Sequence, residues 1–231
     1  MYNHKIRMKS KYLIIFTFLL LAFMDEAQSI THIKIETPLG TMKGYLYNST
    51  PLHRDNFIKL IKSHFYDSLL FHRVIPGFMI QGGDPDSKHA PAGAPLGMGG
   101  PGYQIPAEFV DSLVHTKGAI AAARNNNPEK KSSGSQFYIV AGKPVRSEEL
   151  GMVEMQKRYQ YPEAASKEYA KIGGAPFLDR DYTVFGRITQ GLDIIDKIAA
   201  VKADPRNRPL QDVTMKITID AHPSKSSYGK K

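Results

Sequence analysis

Arg73 and Gln81 fall in one short stretch, F-H-R-V-I-P-G-F-M-I-Q-G-G-D (Phe71 to Asp84), with Phe78 and Met79 between them. Arginine is a permanently charged, forked donor, and glutamine offers both a donor and an acceptor. Phe78 and Met79 supply apolar surface beside them. The set is an unusual mixture for plain core, because a buried guanidinium must find acceptors or be strongly destabilising. Taken singly, Arg73 reads as a solvated side chain at a strand end, Phe78 and Met79 as core, and Gln81 as a strand-end polar residue.

Other chemistries find little support. The chain has no cysteine, which removes thiol nucleophiles, disulfides, cysteine zinc sites and the acylated cysteine of a bacterial lipoprotein. That composition is compatible with an oxidising compartment. The histidines show neither H-x-x-x-H nor H-E-x-x-H spacing, no serine sits in G-x-S-x-G, and there is no phosphate-binding G-x-x-x-x-G-K-[ST] loop. Gly97, Gly99 and Gly102 match G-x-G-x-x-G, but no strand precedes them and Pro106 interrupts the next run, so the dinucleotide reading fails on context. Neither metal nor cofactor is expected. The net charge of +9 falls to +7 without the first 29 residues and is spread out, with no basic stripe interleaved with aromatics. A soluble basic protein fits this better than a nucleic-acid binder.

The positioning elements emerge from periodicity. His32 to Thr37 and Met42 to Tyr47 alternate apolar and polar residues around Pro38-Leu39-Gly40, an opening hairpin. Asn48-Ser49-Thr50 ends it and supplies a cap, with Pro51 at the first turn of a helix running to Phe65. Phe71 to Ile75 and Phe78 to Gln81 are short extended runs joined at Pro76-Gly77, where a fixed φ and a permissive φ meet. Asp84 to Gly102 is a loop dense in Gly and Pro. Gly118 to Arg124 and Ser135 to Val140 are strands about a polar loop. Arg146 to Ile172 predicts two short helices interrupted near Pro162, and Phe177 to Gly186 resumes extended structure. Gln190 to Ala200 is helical, and Asp212 to Asp220 is a last strand. Many short strands with two well-patterned helices far apart predict an antiparallel barrel rather than a βαβ sheet.

The N-terminus speaks to compartment. Lys5, Arg7, Lys9 and Lys11 precede an apolar run from Tyr12 to Phe23, too short to span a membrane comfortably and suited to a signal-peptide core. Ala27 and Ser29 permit cleavage before Ile30, and an uncleaved anchor is the alternative, the only membrane contact expected. The domain organisation is then a signal segment 1–29, one domain 30–222 with a helical insert 143–176, and a disordered basic tail 223–231. The location expected is the periplasm or cell envelope.

Three blocks stand in order: F-H-R-V-I-P-G-F-M-I-Q-G-G-D, then A-A-A-R with S-G-S-Q-F-Y-I, then F-L-D-R-D-Y-T-V-F-G-R-I. Together they resemble the cyclophilin family of peptidyl-prolyl cis-trans isomerases, of the bacterial kind. The resemblance implies a mainly β fold, a closed eight-stranded antiparallel barrel capped by two helices, with the active site on its outer face. It implies Arg73 as the catalytic residue and a proline pocket of Phe78, Met79, Tyr138 and Leu178, with Tyr182 at its edge. Gln81 and Gln136 would bond the substrate backbone. Ala123 and Arg124 would form the rim toward a neighbouring pocket near Gly97, although Arg124 read alone could pair with Glu129 or solvent instead. Phe177 stands where many eukaryotic members carry tryptophan, Tyr138 where Phe is frequent, and Tyr182 where many have His. The Tyr138 hydroxyl then needs a partner or water. Loss of the indole donor at Phe177 predicts weak binding of cyclosporin-type inhibitors.

The partners implied are proline-containing segments of folding proteins, met by a monomer that speeds folding of exported chains. The alternative is a module that holds such segments as a chaperone or scaffold with little turnover. The insert is either a surface excursion or a helical flap offering Tyr159, Tyr161 and Tyr169 to clients.

Overall fold

The computed structural model describes residues 30–221; the signal-segment and tail expectations lie outside the described residues. The chain forms β1 (Thr31–Thr37), β2 (Gly40–Leu46), helix α1 (Pro51–Lys62), β3 (Phe71–Ile75), β4 (Met79–Gly82), β5 (Gln104–Ile105), β6 (Ala119–Ala122), β7 (Ser132–Ser133) and β8 (Phe137–Val140). Helices α2 (Ser147–Lys157) and α3 (Glu163–Ile172) make the insert, and β9 (Val184–Gln190), α4 (Leu192–Ala199) and β10 (Lys216–Ile219) complete the domain. Eight strands pair in the order β10-β1-β2-β9-β6-β8-β4-β3, and β5 pairs with β7 apart from them.

Alternation decides which face each strand buries. In β1, Ile33 and Ile35 are fully buried while His32, Lys34 and Glu36 face outward. Across the other half of the sheet, Val74, Ile80, Ile139 and Ile120 stand opposite one another on β3, β4, β8 and β6. They join Phe57, Leu60 and Ile61 of α1 and Ile195 and Ile198 of α4 in one core. Each such side chain contributes about 1.5–3 kcal/mol by leaving water.

The sheet is a curled half-barrel and not the closed barrel expected from the sequence. Its edges, β3 and β10, share no ladder; they meet only where Leu70 bridges Thr214, with Phe71 N–H donating to Val213 O and Met215 N–H to Leu69 O. Val213 and Leu70 precede their strands, so the strands diverge from this junction. The two capping helices are α1 and α4, as expected.

Three local expectations change. The helix from Pro51 ends at Lys62, because His64 takes a left-handed φ of 57°. Thr50 precedes it without a side-chain cap; instead Glu108 accepts from Leu52 N–H and His53 N–H at 3.0 Å each, from far along the chain. The run from Phe177 is not extended until Val184: Pro176–Leu178 is a 3-10 turn, with Asp179 N–H bonded to Pro176 O and Tyr182 N–H to Leu178 O. The Pro76-Gly77 turn behaves as expected, with Gly77 at φ +68° and Phe78 N–H bonded to Ile75 O at 3.1 Å.

The insert forms its two helices on either side of Pro162, around Val145, Leu150, Tyr161 and Tyr169. Lys157 pairs with Asp181, and Glu168 pairs with Arg187 of β9. Tyr161 and Tyr169 are buried, so they face the domain and not a client. Tyr159 donates to Asp111 O at 2.7 Å under the Arg180 guanidinium. Among the described residues no helix is long and apolar enough to cross a membrane.

Candidate active site

The strand register that sends Val74, Ile80, Ile139 and Ile120 inward sends the alternate residues out. Arg73 stands opposite Gln81, Gln81 opposite Tyr138, and Tyr138 opposite Ala121, one row across four strands. Met79 lies two residues from Gln81, Gln136 two from Tyr138, and Ala123 two from Ala121, so all share that face. Phe78, Leu178 and Tyr182 pack onto this second apolar cluster from turns and loops rather than strands.

The result is a pocket of about 110 Å³ lined by Arg73, Phe78, Met79, Gln81, Ala123, Arg124, Tyr138, Leu178 and Tyr182. Met79 and Tyr138 are buried at its floor. Of the residues the sequence assigns to the site, Phe177 alone stands back: it is 53% exposed and meets the pocket only through the Phe78 ring, at 5.6 Å. Pro176 begins the 3-10 turn that carries both Phe177 and Leu178, and it turns Leu178 into the cup while Phe177 stays largely exposed.

A polar chain runs along the rim. Arg73 Nη1 donates to Gln81 Oε1 at 3.1 Å, Gln81 Nε2 to Gln136 Oε1 at 3.0 Å, and Gln136 Nε2 to the carbonyls of Gly97 and Gly99. Gly97 and Gly99 are held in turn because their N–H groups point to the fully buried Asp84 carboxylate. This chain separates the small pocket from a larger one of about 540 Å³, bounded by Gly97, Met98, Tyr103, Arg124 and Gln136. Arg124 joins neither Glu129 nor bulk water alone: its Nε donates to Asp181 O at 2.8 Å and its guanidinium lies 4.7 Å over the Tyr182 ring. Glu129 pairs with Lys131.

Two further residues were not legible in the sequence. His115 and Asp179 lie directly behind the pocket, and His115 Nε2 is 2.9 Å from the Tyr138 hydroxyl. Burial pushes that hydroxyl's pKa well above the ordinary phenol value. No periodicity marks His115, and Asp179 sits inside F-L-D-R-D-Y with nothing to distinguish it from Asp181. His72, next to Arg73, is buried, and burial holds its pKa down at about 4 against the pull of Asp84.

The site is thus a small cup with an arginine on its rim, on the outside of a curled antiparallel sheet. The family model for "Cyclophilin type peptidyl-prolyl cis-trans isomerase/CLD" matches residues 32–219. The chain is 36% identical over 164 residues to a "Putative peptidyl-prolyl cis-trans isomerase" of Staphylococcus saprophyticus, covering 70% of this chain and 76% of that protein. It is 36% identical to a "Putative bifunctional phosphatase/peptidyl-prolyl cis-trans isomerase" of Streptococcus pyogenes, over 78% of this chain but only 37% of that longer protein. Two structures of a Cryptosporidium parvum cyclophilin type peptidyl-prolyl cis-trans isomerase, one in the presence of the dipeptide Ala-Pro, share the fold. They superpose with TM-scores of 0.63 and 0.61 at 24% identity, covering 84% and 82% of this chain and 100% and 99% of theirs. The chain belongs to the cyclophilin-type peptidyl-prolyl cis-trans isomerases, and its reaction is rotation about the bond preceding proline.

Proposed function

We propose that Arg73 is the catalytic residue of this isomerase, that the 110 Å³ cup holds the prolyl ring, and that the clients are exported proteins in the course of folding. Rotation about an X–Pro bond must break amide resonance, a barrier of roughly 18–20 kcal/mol, and no covalent bond need be cut. In the twisted state the nitrogen becomes pyramidal and its lone pair accepts a hydrogen bond. The Arg73 guanidinium spends one N–H on Gln81 and keeps others in its fork for that lone pair. A donor whose partner exists only in the twisted state lowers the barrier without tightening the ground state.

The observation that carries this reading is that Arg73 lines the same pocket as Phe78, Met79, Tyr138 and Leu178. The Ala-Pro dipeptide present with the similar Cryptosporidium protein supports a proline-containing ligand. Gln81 and Gln136, bonded to each other on the rim, offer the substrate backbone its polar contacts. Residues preceding the proline extend past Ala123 and Arg124 into the larger pocket beside Gly97. Export, to a periplasm or cell envelope, is supported by the basic residues Lys5 to Lys11 and the apolar run after them.

The test is exchange NMR on a short X-Pro peptide with the chain from Ile30 and its Arg73→Ala variant. Acceleration by the first and its loss in the second is expected. Peptide binding with no acceleration by the unaltered chain would make this a holding module for proline segments.

A further inference from the structure

Tyr138 forms the pocket floor, yet its hydroxyl points away from the pocket and opens a buried polar path. His115 Nε2 lies 2.9 Å from that hydroxyl, and the two rings are stacked with centroids 6.0 Å apart. His115 Nδ1 is 2.6 Å from Asp179 Oδ1, which also accepts from the His115 backbone N–H at 2.8 Å. Asp179 Oδ2 accepts from the hydroxyls of Tyr161 and Tyr169, at 2.6 Å each. All five residues are buried. His115 Nδ1 and its backbone N–H both meet Asp179 Oδ1, while Nε2 and the Tyr138 hydroxyl form the next link. The Tyr161 hydroxyl also has the Pro176 carbonyl within 3.2 Å.

The path joins four parts of the chain. Tyr138 belongs to β8, His115 to the loop before β6, and Tyr161 and Tyr169 to the insert. Asp179 directly follows Leu178, the opposite wall of the pocket. The network therefore sets the distance between two pocket walls, the Tyr138 ring and the Leu178 side chain, from behind. A plain apolar floor would need none of this. Buried polar groups are strongly destabilising when half-satisfied, so each member constrains the others.

We propose that His115 and Asp179 are positioning residues of the isomerase site, and that the insert acts on substrate binding through the Tyr161 and Tyr169 hydroxyls rather than by touching substrate. The proposal rests on the reading of the Arg73 pocket as the site. The cup grips the prolyl ring alike in the planar and twisted states, so loosening it raises KM and leaves kcat nearly unchanged. Loss of Arg73 does the reverse.

The experiment uses the full chain with Tyr161→Phe/Tyr169→Phe, which removes two oxygens and keeps both rings, and with Asp179→Asn, each beside Arg73→Ala. Peptide exchange rates and peptide titration are read by NMR at a temperature where thermal melts show each variant folded. Expected is a rise in KM of roughly tenfold for the double tyrosine variant with kcat retained, since small misplacements in a site cost up to about a hundredfold. The backbone resonances of Tyr138 and Leu178 should shift with it. Should Asp179→Asn not fold, the tyrosine variant decides alone. Unchanged KM and unchanged Tyr138 and Leu178 resonances in that folded variant would overturn the proposal, leaving the network a fold stabiliser. Arg73→Ala with full turnover would instead overturn the pocket reading, and the proposal with it.

Discussion

Arg73 and Gln81 face each other across the β3–β4 ladder, with the guanidinium Nη1 3.1 Å from the amide oxygen. That contact orients the arginine fork along the pocket rim. Because Gln81 is itself bonded to Gln136, and Gln136 to the Gly97 loop, the arginine is indirectly tied to the loop that walls the larger pocket.

Arg73→Ala should lower kcat by about a hundredfold to a thousandfold, as loss of one preorganised transition-state donor does elsewhere, with peptide affinity little changed. Arg73→Lys should recover only a small part, because an ammonium lacks the fork that serves Gln81 and the substrate together. Exchange spectroscopy on an X-Pro peptide measures both; full activity in the lysine variant would show that charge alone suffices.

Stability should fall in mild acid through His72. Its folded pKa is held at about 4, below the ordinary 6.5, so the unfolded chain binds the extra proton between those values. A depressed histidine pKa means stability rises with pH across that window and is lost as pH drops from about 6.5 toward 4, by about 3 kcal/mol in all. Urea midpoints at pH 7 and pH 5 should differ, and His72→Phe should shrink the difference. Equal pH sensitivity in that variant would assign the effect to other groups, such as the buried His53.

Glu108 holds the first turn of α1 by accepting from Leu52 N–H, His53 N–H and, at 2.7 Å, His53 Nδ1. Glu108→Ala should cost about 2–3 kcal/mol, combining a lost cap with an unsatisfied buried imidazole. Denaturant unfolding will show it, and a loss under about 0.5 kcal/mol, the scale of an ordinary surface substitution, would mean water replaces the carboxylate.

Phe177 is largely exposed and carries no polar donor. Cyclosporin-type inhibitors should therefore bind at micromolar affinity or weaker by calorimetry, and Phe177→Trp should tighten them. Nanomolar binding to the unaltered chain would refute this.

Much of the site was legible because it depends on short-range rules. Period-two alternation places Val74 and Ile80 inside and Arg73 and Gln81 outside whichever strands pair with them, and Pro76-Gly77 is a turn in any context. The assignment of these residues to one site came instead from the family resemblance that the three motif blocks carry, since alternation alone reads Arg73 as a solvated strand-end residue and Phe78 and Met79 as core. What the sequence by itself could not decide is where distant segments meet. Glu108 capping a helix 55 residues earlier, Phe177 standing off the cup while its neighbour Leu178 enters it, and edge strands that meet at a single bridge instead of closing are all outcomes of packing. The partner of the Tyr138 hydroxyl is of the same kind. His115, Asp179, Tyr161 and Tyr169 come from three separate stretches and have no shared period, so only the tertiary structure, by excluding water from them, makes them satisfy one another.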